Sequence, residues 1–173
     1  MEPNLKERIF GLDVLRATAI IMVVSSHVLW IYPKSNAFIP TLFELFGFWG
    51  VELFFVLSGF LIGSILYKTF VNENFTLNSV FHFLKRRWFR TLPNYYLVLI
   101  LNILIAFFLG FSIENTGSYF LFLQNFASKS PAFFPESWSL SIEEYTYLLL
   151  PFSLFFVGLS KIKNKSKLFL LVI

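Results

Sequence analysis

Long apolar stretches separated by short polar segments run the length of the chain. An α-helix crossing hydrocarbon takes about 20 mainly apolar residues. Four stretches meet that length: Leu12–Tyr32, Leu45–Tyr67, Tyr95–Ile113 and Trp138–Leu159. A fifth apolar run opens at Leu168 and continues to Ile173. The piece Tyr119–Phe126 is apolar but too short to cross, and it reads as an interfacial or re-entrant segment between the third and fourth spans. The pattern predicts an all-α integral membrane protein, a multi-span helical bundle with four complete spans plus the start of a fifth. No soluble domain interrupts it.

Composition agrees with that class. Hydrophobic residues make up 57% of the 173 and charged residues only 14%, where a soluble domain carries roughly 25% charged. The chain has no Cys, which excludes disulfides, thiolate metal sites and Cys nucleophiles. No metal site and no permanently bound cofactor is expected. The basic residues gather at the ends of apolar stretches instead of forming a stripe on a soluble face, which argues against a nucleic-acid partner and for membrane topology. Of the 14 Lys and Arg residues, all but Lys34 and Lys129 fall on the side of Met1. The protein is therefore expected in the cell membrane, multi-pass, with its N-terminus cytoplasmic. Asp13 and Arg16 interrupt the first apolar stretch, so it is not a cleavable signal peptide. Ser58, Gly59, Gly63 and Ser64 place small residues at helical spacing in the second span, which predicts close approach of another helix there.

Ionisable residues inside spans are costly, and each is a candidate for function. Arg16 and His27 stand eleven positions apart in the first span, close to three full turns and about 16 Å along the axis, so they share a helix face. Ser25 and Ser26 adjoin His27, and together with the Arg they favour a functional histidine over a packed one. In Lys85-Arg86-Arg87-Trp88-Phe89-Arg90, Lys85 and Arg86 read as a topological anchor. Arg87 and Arg90 read as two guanidinium forks presented to one polyanion, and a phosphate-rich donor suits such forks. Glu52 in the second span and Glu143 and Glu144 in the fourth complete the set, at depths expected to match His27.

The chain resembles the membrane acyltransferase-3 family, whose members O-acylate surface polysaccharides, peptidoglycan, other glycans and small molecules. The resemblance rests on Gly11-Leu12-Asp13-Val14-Leu15-Arg16-Ala17 with His27, and on the stretch from Gly50 to Ile62. It continues in Arg87-Trp88-Phe89-Arg90 with Pro93 and Tyr95, and in Trp138-Ser139-Leu140-Ser141-Ile142-Glu143-Glu144 with Tyr147, Leu148 and Pro151. Tyr145 and Thr146 stand where Gln and Phe are usual. The resemblance implies that 1–173 is a membrane domain of this type, truncated at its C-terminus. It makes His27 the catalytic histidine, Arg16 part of the same active-site helix, and Arg87 and Arg90 binders of acyl-CoA. Glu143 falls on the acidic position of the fourth motif and Glu144 where members vary.

The expected reaction is acyl transfer, with acetyl as the default group, from acyl-CoA as co-substrate to a hydroxyl of an extracytoplasmic glycan. Arg16, Arg87 and Arg90 would hold the CoA phosphates on the cytoplasmic side. His27 would act as general base on the acceptor hydroxyl, with Glu52 or Glu143 orienting the ring or stabilising imidazolium. The expected partners are the lipid bilayer, acyl-CoA and a carbohydrate acceptor. The competing readings are a transporter or non-catalytic bundle whose intramembrane charges form a pathway, and a fragment without activity of its own. Single-Cys labelling tests the orientation. With no native Cys, Lys85→Cys should react with an impermeant maleimide only after cells are permeabilised, and labelling from outside would overturn the topology.

Overall fold

The computed structural model describes residues 9–28, 38–72, 74–113, 116–126, 133–160 and 164–173, and among these every regular element is helical. In chain order they are α1 (Phe10–His27), α2 (Phe38–Asn72), α3 (Leu77–Leu109), α4 (Gly117–Phe120), a 3-10 turn (Leu123–Asn125), α5 (Ser137–Gly158) and α6 (Lys165–Val172). Of these, α1, α2, α3 and α5 are long and apolar enough to cross a membrane. Helices of spanning length and composition stand at all four expected places with shifted ends, and the protein is a multi-pass membrane protein. The last part of the first expected span, up to Tyr32, lies outside the described residues, as do Lys34, Lys129 and residues 161–163.

The largest shift is in α3. Its 33 residues extend about 50 Å, well beyond a hydrocarbon core of about 30 Å. The basic run 85–90 therefore lies inside the helix and not ahead of it, and Pro93 sits within the helix as well. Signals at both ends explain the length. At the start, the Thr76 backbone N–H donates to Ser79 Oγ at 3.3 Å, one arm of a capping box. At the end, Gly110 adopts φ 72° and Phe111 N–H reaches back to Ala106 O at 2.9 Å, the left-handed stop that glycine accommodates without strain.

The chain forms two compact units, Met1–Ser64 and Ile65–Ile173. In the first, α1 and the opening half of α2 pack antiparallel through glycines of α2. A Cβ at Gly47 would lie 2.6 Å from Ser26 Oγ, and one at Gly50 would lie 2.9 Å from the Ala19 carbonyl oxygen and 2.7 Å from Val23 Cγ2. Close approach is thus made at Gly47 and Gly50. At the expected positions, a Cβ on Gly59 or Gly63 meets no described atom within 4 Å.

In the second unit α3 and α5 run antiparallel, with Phe81 against Phe152 at one level, Trp88 against Glu144 at the next, and Tyr95 against Phe134 beyond. The start of α6 folds back on the end of α2. Phe169 packs on the rings of Tyr67 and Phe70, and Tyr67 and Ser166 share a hydrogen bond at 3.2 Å. Helix α6 opens at Lys165, three residues ahead of the expected Leu168, because Asn164 Oδ1 caps the Lys167 N–H.

The glycine contacts separate two kinds of substitution. Gly50→Ala puts a methyl against a neighbouring backbone oxygen, which cannot rotate away, and should cost about 1–3 kcal/mol, as overpacking does. Gly59→Ala should leave stability unchanged or raise it by up to about 1 kcal/mol through helix propensity. Thermal unfolding in detergent measures both, and equal loss at the two positions would refute the α1–α2 packing.

Candidate functional site

Helix α1 carries Arg16 and His27 on one face, as its periodicity requires. Arg16 is paired within its own helix, with Nη1 3.1 Å from Asp13 Oδ1, a pair that is more than a third exposed. The opposite charges at i and i+3 were visible in the sequence. His27 is the last residue of α1, exposed, with Nδ1 2.9 Å from the Val23 carbonyl oxygen. A carbonyl only accepts, so Nδ1 carries the ring proton and the neutral ring holds its basic lone pair on Nε2. The helix thus sets the tautomer of the histidine.

Glu52 does not join this group. Gly47 marks the level of Ser26 and the side of α2 that faces α1. Glu52 is five residues further on, about 8 Å along the axis and about 140° around it. Its side chain is exposed and turned from α1, so the expected approach of Glu52 to His27 is corrected. Two-residue and five-residue offsets from the contact glycines both place it on the far side.

In the second unit, α3 and α5 are joined by a polar network. Glu144 is 7% exposed, and its carboxylate oxygens accept from Trp88 Nε1 at 3.0 Å and from Thr91 Oγ1 at 3.2 Å. Glu143, half-buried, accepts from the Tyr147 hydroxyl at 2.6 Å one turn along the same helix. The Arg87 guanidinium lies over the Tyr147 ring, 4.8 Å from its centroid, a cation–π contact. Its Nε is buried and has no hydrogen-bond partner among the described residues.

This arrangement corrects three expectations. Arg87 and Arg90 do not point the same way, since Arg87 turns inward to α5 while Arg90 is exposed; three residues on a helix leave them about 60° apart. The carboxylate that α5 buries against α3 is Glu144, at the position where the family varies, with Glu143 held beside it. Glu143 and Arg87 also share a level, because the antiparallel register sets Trp88 against Glu144; they are not at opposite ends of the unit. Trp88, Thr91 and Tyr147 were not singled out from the sequence. The four-residue spacing of Glu143 and Tyr147 was a usable signal, but nothing local links Glu144 to residues more than 50 positions away.

Glu144→Ala removes both acceptors. Thr91 keeps an alternative in the Arg87 carbonyl at 3.2 Å, so the Trp88 bond carries most of the loss, about 0.6–1.7 kcal/mol by the scale of hydrogen bonds between membrane helices. Glu143→Ala breaks a bond inside α5 alone and should lower the thermal midpoint less. The reverse order in detergent melts would show that Glu144 does not fasten α3 to α5.

Comparison with known proteins places the chain in a family. The model of the acyltransferase-3 domain, described as an acyltransferase domain, matches residues 9–173. YrhL of Bacillus subtilis is 31% identical over 91% of this chain and 25% of its own length. The peptidoglycan O-acetyltransferase OatA of Listeria monocytogenes is 30% identical over 94% of the chain and 26% of its own length. The O-acetyltransferase OatA of Staphylococcus aureus is 29% identical over 85% and 25%. The chain thus spans about a quarter of the length of these relatives. No solved structure matches it. With all four motif stretches inside the matched region, the chain belongs to the acyltransferase-3 family of membrane proteins.

Proposed function

We propose that this chain carries the histidine base of an integral membrane O-acyltransferase, which moves an acetyl group from acyl-CoA to a hydroxyl of an extracytoplasmic glycan. The observation that carries the reading is the hydrogen bond from His27 Nδ1 to the Val23 carbonyl oxygen. It holds the imidazole in the tautomer whose Nε2 accepts a proton, and a general base needs that form near neutral pH. The names of the relatives favour peptidoglycan as the acceptor and acetyl as the group.

In the proposed step, Nε2 of His27 takes the proton of the acceptor hydroxyl as its oxygen attacks the thioester carbonyl. The carbon–sulfur bond then breaks, and the proton returns to the departing CoA sulfur. An acid–base histidine of this kind supplies about 10²–10⁴-fold of rate. The donor phosphates are assigned to the basic residues. Arg90 is exposed, Arg87 keeps an Nε donor without a partner among the described residues, and Arg16 shares its helix face with His27. Guanidinium groups suit phosphate because they offer paired donors in a fixed plane. Glu143, whose carboxylate accepts from the Tyr147 hydroxyl, is the acidic residue we assign to the reaction.

The test is made in membranes that hold an active protein containing this segment. His27→Ala should lower acetyl transfer by about 10²–10⁴-fold while insertion persists. His27→Gln keeps the size and a hydrogen-bonding group but has no basic nitrogen, and it should be equally inactive. Near-normal transfer by His27→Gln would refute the base and reopen the transporter reading.

A further inference from the structure

The segment between α3 and α5 solves a problem that arises only without water. Its described residues form one four-residue helix and one 3-10 turn, so they leave backbone carbonyls outside any helical ladder. Three of them accept from tyrosine hydroxyls. Tyr95 donates to Tyr119 O at 2.9 Å, Tyr96 to Phe120 O at 3.0 Å, and Tyr145 to Phe122 O. Turn bonds take up others, as Tyr119 N–H meets Thr116 O, Leu121 N–H meets Ser118 O and Phe126 N–H meets Leu123 O. Gln124, itself buried, donates to the hydroxyls of Ser137 and Ser141 at the start of α5. Phe122 adopts φ 59° to make the bend.

The outer surface of the same segment is apolar. Leu121 is 69% exposed and Phe126 77%. In hydrocarbon such carbonyls need a donor from the protein, and such side chains face a matching solvent.

The position along α3 agrees. The segment packs at Tyr95 and Tyr96, fourteen and thirteen residues before the end of α3 at Leu109, or about 20 Å below it. Between these levels α3 has no charged residue, and Asn102 is bonded to its own helix at Val98 O. Counting about 20 residues back from Leu109 reaches Phe89 and Arg90, where the charges begin. Centring the hydrocarbon on α5 instead would sink the exposed Lys85, Arg86 and Arg90 into it. One such charge offsets the insertion gain of roughly six leucines.

We propose that Thr116–Phe126 is a re-entrant elbow at hydrocarbon depth, with tyrosine hydroxyls replacing water on its carbonyls and with Leu121 and Phe126 in contact with lipid acyl chains. The proposal does not depend on the acyltransferase reading.

The test uses the whole chain in phospholipid nanodiscs. Because the chain has no Cys, a nitroxide is placed by Leu121→Cys or Phe126→Cys, with Phe108→Cys on α3 as a lipid reference and Lys167→Cys as a water reference. Collision with oxygen, which partitions into lipid, is compared with collision with a polar nickel chelate. The oxygen-to-nickel ratio at positions 121 and 126 should match that at 108 and exceed that at 167 several-fold. A ratio matching position 167 places the elbow in water, and low access to both reagents places it against protein. Either result overturns the proposal.

Discussion

A backbone carbonyl that leaves a helix inside a membrane must find a donor in the protein, because hydrocarbon offers none. Much of the second unit follows from that constraint. Helices α3 and α5 satisfy their own carbonyls over most of their length, and where the chain turns between them the tyrosine hydroxyls of both helices take over. Tyr95 shows how one residue serves two ends. Its hydroxyl closes the Tyr119 carbonyl, while its ring stacks on Phe122 and Phe134 and with Leu99 and Tyr119 forms a buried cluster. Tyrosine suits this place because an apolar body and a polar tip meet both demands.

The same constraint explains the polar link between α3 and α5. A buried carboxylate is costly unless donors surround it, and Glu144 has two from the facing helix. Arg87 is held by the ring of Tyr147, whose hydroxyl holds Glu143, so one tyrosine ties a cation of α3 to a carboxylate of α5. These contacts fix which of the clustered charges face inward and leave Lys85, Arg86 and Arg90 exposed. A basic run that looks uniform in sequence thus divides into one arginine packed on α5 and three exposed residues.

In the first unit the decisive contact is small. Gly47 and Gly50 bring α2 against α1 at Ser26, Val23 and Ala19, along the last two turns or so of the helix that ends at His27. Helix α1 then supplies both the proton position on His27, through the Val23 carbonyl, and the shared face with Arg16. His27 thus ends the helix exposed, with Nδ1 held on the Val23 carbonyl oxygen. Family membership gives that arrangement its proposed chemistry.

Much was legible in the chain itself. Apolar length and the scarcity of charge determined the class and the four spans, because crossing hydrocarbon is a requirement on each helix separately. The Arg16 and His27 spacing determined a shared face, because it depends only on helical pitch. The family was legible in four local motifs. What only the tertiary structure decided was which residues meet across helices. It decided that Glu144 is the carboxylate α5 buries against α3, that Glu52 turns from α1, that Arg87 parts from Arg90, and that Gly47 and Gly50 make the close contact in place of Gly59 and Gly63. Those outcomes depend on the register and rotation of one helix against another. Register is set by side chains some 20 to 70 residues apart, and no period within a single helix records it.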